Sequence, residues 1–130
     1  MTQEERMLLI KDLSARLPYA VTVEHTSGFR GTLHDMTVHH MYDDNDNVYD
    51  AICYTDFFGD EDDIYIEYFK PYLFPLSSMT EEQRDVIDLI ASNSNTPLSD
   101  VVDFYNKNYL DYRGLIPMGL AIDATGLNIY

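Results

Sequence analysis

The stretch from Asp63 to Thr80, DIYIEYFKPYLFPLSSMT, constrains the fold more than any other part of the sequence. Ile64, Ile66 and Tyr68 alternate with the residues between them, and this period of two predicts a β-strand with one buried face. Two Xaa-Pro pairs follow. Because proline lacks a backbone N–H and pushes the residue before it toward extended geometry, we expect the strand to leave the sheet there or to continue only as an edge.

Capping boxes predict where two helices begin. Thr80 is followed three residues later by Gln83, and Thr2 is followed by Glu5 at the same spacing. Pro97 at a permitted first position predicts a third helix. The apolar residues of these helices recur at spacings of three and four and are expected to face inward: Leu9, Ile10, Leu13 and Leu17 in the first helix, Val86, Ile87, Leu89 and Ile90 in the second, and Leu98, Val101, Val102 and Tyr105 in the third.

Three further strands are predicted ahead of the opening stretch, at Tyr19–His25, Phe29–Val38 and Val48–Thr55. A short hairpin loop at 26–28 joins the first two, a polar loop at 39–47 follows the second, and a change of apolar parity near His34-Asp35 indicates a bulge. The expected fold is α+β and forms one domain over residues 1–130. It comprises an N-terminal helix, a four-stranded, strongly bent antiparallel meander or small open barrel, two C-terminal helices and an irregular tail.

The charge of the chain limits its partners. Eight basic and 23 acidic side chains give a net charge of −15. Nucleic-acid phosphates and anionic membrane surfaces attract basic faces, so direct binding to either is not expected. A protein partner with a basic surface is the electrostatically favoured kind.

The cysteine content and the apolar runs of the sequence indicate the cellular compartment. Its single cysteine, Cys53, lies in a strand-like run and is interpreted as a small buried hydrophobe. No apolar run reaches the ~18 residues needed to span a bilayer, and the sequence starts acidic, without the basic region of an export signal. We therefore expect a cytoplasmic protein without a cofactor.

The acidic charge is concentrated in the middle of the chain. Residues 31–69 contain no Lys or Arg and carry 11 acidic side chains. Two loops, at 39–47 and 56–63, hold most of them. They are interpreted either as solubilising loops or as one acidic surface for a basic partner.

Tyrosine is unusually frequent, with 11 tyrosines and no tryptophan. Most are expected at the core and its rim, where the ring is buried and the hydroxyl stays wet. Those beside the acidic loops could anchor a partner. The predicted partner-binding residues are Tyr42, Asp43, Asp44, Asp46, Tyr49, Asp60, Glu61, Asp62 and Asp63.

Signatures of catalysis are absent from the sequence, which has no phosphate-binding glycine loop, no Cys-x-x-Cys, no His-Glu-x-x-His and no Gly-x-Ser-x-Gly. A metal site could be imagined at His39 and His40 beside Asp43 and Asp44. However, adjacent residues of a strand point to opposite faces, so one ion would not easily bind both imidazoles. We therefore predict a protein that is not an enzyme.

Three segments resemble a group of short uncharacterised proteins from prophages and other mobile elements of gut bacteria. They read LLIKDLSARLPYAV (8–21), KPYLFPLSSMTEEQ (70–83) and LDYRGLIPMGLAIDA (110–124), and they cover about a third of the chain. The resemblance implies a genomic setting and transfers no activity, ligand or catalytic residue. It favours a small binding protein over a metabolic enzyme.

Three functions remain open from the sequence. The first is binding of another protein through the acidic loops and nearby tyrosines, and the second is a structural or assembly role in which acidity only confers solubility. The third is mimicry of a phosphate backbone to inhibit a nucleic-acid-binding host enzyme.

Overall fold

The computed structural model describes residues 1–42, 47–56, 64–93 and 98–130. The helices are α1 (Gln3–Arg16), α2 (Glu81–Ser92) and α3 (Leu98–Lys107). The strands are β1 (Thr22–His25), β2 (Arg30–Tyr42), β3 (Asn47–Thr55), β4 (Phe69–Pro75), β5 (Leu110–Asp111) and β6 (Ile122–Asp123). The α+β class, with an N-terminal helix, a bent sheet and two further helices, is confirmed.

The sheet has the strand order β3-β2-β1-β4-β5, and β6 also pairs with β4. β1, β2 and β3 form the antiparallel meander that the sequence predicts. β4 does not continue that meander, because it pairs antiparallel with β1. A single bridge between Ile52 and Tyr65 links β3 to the segment ahead of β4, so the sheet curls into an open half-barrel.

The fourth strand is displaced from its predicted position. Instead of extending over 64–69, the chain forms a 3₁₀ turn at Ile66–Tyr68 and enters the sheet at Phe69. Ile66 is fully buried in this turn. The apolar alternation that predicts a strand here therefore reflects a segment that crosses from β3 to β1 with one side against the core.

Pro71 lies inside β4, not beyond its end. The N–H of Thr26 donates to the carbonyl of Tyr68, so the hydrogen-bonded pairs between β1 and β4 fall at even-numbered residues of β4. Pro71 pairs with Val23 at a position that is not hydrogen-bonded toward β1. Its missing N–H consequently costs the β1–β4 ladder nothing, and the expectation that the prolines confine this strand to an edge is wrong.

The β2–β3 ribbon is longer than predicted. Tyr42 pairs with Asn47, so the strands continue through His39 and His40, where the sequence predicts a loop. β1 pairs only with residues 30–32 of β2, and residues 37–40 extend past β1 with both faces open to solvent. Polar side chains are tolerated at these positions because no core covers them.

The predicted bulge in β2 is confirmed, since the register of its pairing with β3 shifts between Leu33 and Asp35.

The core lies between α1 and the concave side of the sheet. Thr2 caps α1 by accepting a hydrogen bond from the N–H of Glu5, as the capping box predicts. Leu9 and Leu13 of α1 are fully buried and pack with apolar residues of β1 to β4 and of the tail. The tail contributes Leu115, Leu120 and Ala121 to this cluster, so it wraps back over the core.

A buried ionic network fixes α1 to the tail. Asp12 and Arg16, one helical turn apart, form an ion pair at 2.9 Å with both side chains fully buried. Arg16 also donates to the carbonyl of Leu110 at 2.7 Å, and Arg113 donates to Asp12 at 3.0 Å. These bonds position β5 beside β4, where the two strands run parallel.

α2 and α3 lie at the periphery. The predicted capping box of α2 is present, with both hydrogen bonds between Thr80 and Gln83 formed. However, no residue of α2 is buried. The prediction that Val86, Leu89 and Leu98 face inward is wrong, because all three are exposed.

Candidate protein-binding surface along the third strand

The structure describes two of the predicted partner-binding residues. Tyr42 is the last residue of β2, and Tyr49 lies in β3. The other predicted residues, Asp43, Asp44, Asp46, Asp60, Glu61, Asp62 and Asp63, lie outside the described residues. The attachment points of the two acidic segments are nevertheless defined by the strands beside them.

The acidic segments 43–46 and 57–63 attach at opposite ends of β3. The first lies between Tyr42 and Asn47, and the second follows Asp56, just beyond the other end of the strand. From Asn47 to Asp56 the chain advances nine residues, and at about 3.3 Å per residue this separates the two points by roughly 30 Å.

Two well-exposed tyrosines lie on one face of β3, Tyr54 in the strand itself and Tyr65 in the segment that is bridged to it. Ala51 and Cys53 are buried, so Ile52 and Tyr54 lie on the opposite face of the strand. Tyr65 pairs with Ile52 in an antiparallel bridge, and its side chain shares their face. Tyr54 is 46% exposed and Tyr65 is 40% exposed. We call Asp50, Ile52, Tyr54 and Tyr65 the β3 outer face.

A shallow recess adjoins this face. It has a volume of about 430 Å³ and is lined by His39, His40, Asp50, Ile52 and Tyr65. Aromatic, aliphatic, imidazole and carboxylate groups converge there, which suits a side chain that combines an apolar stem with a positive end. A lysine or arginine of a partner has that combination.

Tyr49 is not among the residues that line the recess. Its ring is half-buried against the core and stacks on His40, with ring centroids 4.3 Å apart and planes 9° from parallel. Two further rings on the β3 outer face, Tyr54 and Tyr65, are not among the predicted partner-binding residues. The alternation of buried Ala51 and Cys53 with Tyr54 along β3 is the sequence signal that could have identified Tyr54.

The described carboxylates around β3 differ in how far they are neutralised. Arg6 of α1 lies 3.8 Å from Asp50 and 3.3 Å from Glu67, so it partly balances both. Asp35 and Asp56 are exposed and accept hydrogen bonds from the backbone N–H groups of Met36 and Thr32. These bonds fix the carboxylates in place while leaving their negative charge at the surface.

The free edge of β3 is closed to a further strand at several points. Gln3 donates to the carbonyl of Tyr49, Asp50 accepts from the N–H of Ala51, and the carbonyl of Ile64 accepts from the N–H of Cys53. Such side-chain and loop contacts prevent strand-to-strand pairing. A partner would therefore bind β3 through side chains and not by adding a strand.

Cys53 behaves as the sequence predicts, as a buried free thiol. Burial, assisted by the negative charge of Asp50, raises the pKa of the Cys53 thiol to about 12. The thiol is therefore protonated at neutral pH and is a poor nucleophile.

His39 and His40 are both exposed. Within the described ranges, no group of three or more His, Cys, Asp or Glu side chains has the geometry to hold a metal ion. Asp43 and Asp44, the carboxylates considered with these histidines, lie outside those ranges.

No family model, curated protein or solved structure matches this chain. In the part of the chain that the structure describes, none of the helices has the length and apolar character required to cross a membrane.

Proposed function

We propose that this protein is a non-enzymatic binding protein that contacts a partner protein with a basic surface. The contact surface is the β3 outer face together with the two acidic segments attached at its ends. The protein acts in the cytoplasm without a cofactor, and its setting is a phage or another mobile element of a gut bacterium.

One observation carries the proposal: Tyr54 of β3 and Tyr65, which is bridged to that strand at Ile52, are both exposed on one face of the strand that connects two acidic segments. Tyrosines that combine a large ring with a hydroxyl are frequent energetic centres of protein interfaces. Acidic groups around them favour a basic partner by accelerating its approach and excluding acidic competitors. Residues 31–69 contribute no Lys or Arg to this surface, and Arg6 of α1 balances only part of its negative charge.

The test compares the full-length protein with three variants. The first variant changes Asp43, Asp44, Asp46, Asp60, Asp62 and Asp63 to Asn. The second carries Tyr54→Ser and Tyr65→Ser, and its matched control carries Met118→Ser and Leu127→Ser, since these side chains are similarly exposed elsewhere. Partners captured from a host lysate are identified, purified and titrated against each protein at low and moderate salt.

The acidic variant should bind the purified partner at least about tenfold more weakly at low salt, and the difference should shrink as salt rises. The tyrosine variant should lose a comparable amount of affinity at both salt concentrations. The control pair should bind as the wild type does. If all four proteins capture the same partners with the same Kd, the proposal is wrong.

A further inference from the structure

A pocket lies where the β1–β2 hairpin, the start of β4 and the tail meet. It has a volume of about 620 Å³, within the range of small-molecule sites in proteins, and it is distinct from the recess beside β3. Its lining includes Glu24, Thr26, Gly28, Tyr68, Lys70 and Ile122. We call it the β1–β4 pocket.

The pairing of β1 with β4 places a carboxylate and an ammonium group side by side in this pocket. Val23 and Pro71 are buried and pair with each other. Because side chains alternate along a strand, their neighbours Glu24 and Lys70, which also pair, lie on the face opposite the core. Directly paired residues have Cβ atoms about 4.5–5.5 Å apart. A single ligand can therefore contact both charged groups.

Neither charged group is neutralised by an ion pair within the described part of the chain. The ion pairs formed there involve three arginines and include neither Glu24 nor Lys70. Burial, and after it the hydrogen bond to Glu24, raise the pKa of the Tyr72 hydroxyl. Arg30 donates to the same hydroxyl at 2.8 Å. The Glu24 carboxylate is thus positioned by a neutral group, while the Lys70 side chain is exposed.

The walls of the pocket are partly apolar and are held by hydrogen bonds of the fold. The Tyr68 ring packs near the buried His25 ring, with centroids 6.2 Å apart. The N–H of Gly28 donates to the carbonyl of His25 at 2.8 Å and closes the hairpin. Ile122 of β6 contributes a half-buried aliphatic side chain from the tail. A ligand therefore meets apolar surface that is already in place, which lowers the entropic cost of binding.

Charge complementarity selects the kind of ligand. A simple anion would be attracted by Lys70 and repelled by Glu24, and a simple cation would meet the opposite combination. Glu67, at the edge of the pocket, changes this balance little because it is paired with Arg6 at 3.3 Å. A molecule that carries both an ammonium and a carboxylate group satisfies both side chains through charge-assisted hydrogen bonds.

We propose that the β1–β4 pocket binds a small zwitterion with an apolar side chain, namely a free amino acid. Its carboxylate accepts from Lys70, its ammonium group donates to Glu24, and its side chain packs against Tyr68 and Ile122. These residues are different from those of the β3 outer face, so the inference does not rest on the function proposed for that face.

The test titrates the full-length protein with three probes and follows backbone amide chemical shifts, which give both the Kd and the location of binding. The probes are phenylalanine, N-acetylphenylalanine, which lacks the ammonium group, and phenylalanine amide, which lacks the carboxylate. The variants are Lys70→Gln and Glu24→Gln. Their matched controls are Lys11→Gln, at an exposed lysine of α1, and Glu5→Gln, at a half-buried glutamate of the same helix.

We expect phenylalanine to bind the wild type at least about tenfold more tightly than either of the other probes, because each of them loses one charge-assisted contact. The shifts should be concentrated at residues 24–28 and 67–70. Lys70→Gln should weaken the binding of phenylalanine by at least about tenfold and leave that of phenylalanine amide unchanged. Glu24→Gln should weaken phenylalanine to a similar extent and leave N-acetylphenylalanine unchanged.

The two control variants should bind all three probes as the wild type does. Equal binding of the three probes to the wild type, shifts located away from the pocket, or no saturable shift with phenylalanine would overturn the proposal. These readouts on the wild type decide the matter without depending on the folding of any variant. Equal loss of phenylalanine binding in Lys70→Gln and Lys11→Gln would overturn it as well, because overall charge would then be the cause.

Discussion

Arg16 donates two hydrogen bonds to the carboxylate of Asp12, at 2.9 and 3.1 Å, and neither side chain is accessible to solvent. Arg113 adds a third bond to the same carboxylate. One buried aspartate thus accepts hydrogen bonds from one fully buried arginine and one mostly buried arginine, so a single negative charge is shared by two positive ones. The Nη1 atom of Arg16 has no hydrogen-bond partner among the described residues. Asp12 is therefore the residue on which this network depends.

We predict that Asp12→Asn lowers the free energy of unfolding by about 3–5 kcal/mol, because it leaves a buried guanidinium without a counter-charge. Urea denaturation measures the change. Asp85→Asn on the exposed side of α2 is the control and should stay within about 0.5 kcal/mol of the wild type. The double change Asp12→Leu with Arg16→Met should cost less than Asp12→Asn alone, and a larger cost would contradict the role assigned to the unpaired charge.

Because of Cys53, we expect the free energy of unfolding to depend on pH in the alkaline range. Its pKa is about 12 in the folded protein and 9.0 without the effects of the fold, so the folded protein retains the thiol proton to higher pH than the unfolded chain. The resulting stabilisation is complete below pH 9 and is lost as the pH rises toward 12. The stability difference between the wild type and Cys53→Ala should shrink by up to about 1.4 kcal/mol per pH unit above pH 9.

Urea titrations at pH 7.5, 9, 10 and 11 measure this difference. Val23→Ala serves as the control, since Val23 is equally buried and does not titrate. Its difference from the wild type should not change with pH. A pH-independent difference for Cys53→Ala would show that the thiol does not titrate as the structure indicates.

Tyr130 joins the tail to the sheet through its hydroxyl and its ring. The hydroxyl accepts from the N–H of Thr22 at 3.0 Å and donates to the carbonyl of Tyr72 at 2.7 Å, and the ring stacks on Tyr109. Tyr130→Phe keeps the ring and should lower the free energy of unfolding by about 1–3 kcal/mol, because both backbone groups lose their partner. Tyr65→Phe, at an exposed ring, should change it by less than about 0.5 kcal/mol. Equal effects of the two substitutions would contradict this assignment.

Removing the cap of α1 should destabilise the whole protein, whereas removing the cap of α2 should destabilise that helix alone. Thr2 caps α1, which carries core leucines, whereas Thr80 caps α2, which buries nothing. Thr80→Ala should raise amide hydrogen exchange in α2 about fivefold without shifting the urea midpoint, since a cap contributes about 1 kcal/mol to a locally opening unit. Thr2→Ala should lower the midpoint for the whole protein. If Thr80→Ala lowers it equally, α2 belongs to the cooperative core.

The features that the sequence predicts correctly are those with local causes. The Thr80–Gln83 capping box, the bulge beside Asp35 and the hairpin at Gly28 each depend on residues within a few positions of one another. Gly28 has φ +94°, which glycine adopts without the steric cost that other residues meet. The structure forms these local features as predicted because no distant contact competes with them.

The features that the sequence does not predict depend on distant partners. Pro71 is acceptable within β4 only because β1 needs no N–H at that position, which requires knowing the register. The exposure of Leu89 follows from where α3 lies and not from the periodicity of α2. The candidate surface combines both kinds of feature. Its acidic composition is visible in the sequence, whereas the exposure of Tyr65 depends on its distant bridge to Ile52 and is not predicted.

The attachment of α1 to the tail also governs how fast the chain can fold. Arg16 bonds to Leu110, Tyr19 to Tyr109 and Thr22 to Tyr130, across sequence separations of 94, 90 and 108 residues. Contacts that close such long loops slow folding, because the entropy of closure is lost before the contacts form. We therefore expect the charged groups of Asp12 and Arg16 to stay hydrated until the tail docks, and docking of the tail to be a late step in folding.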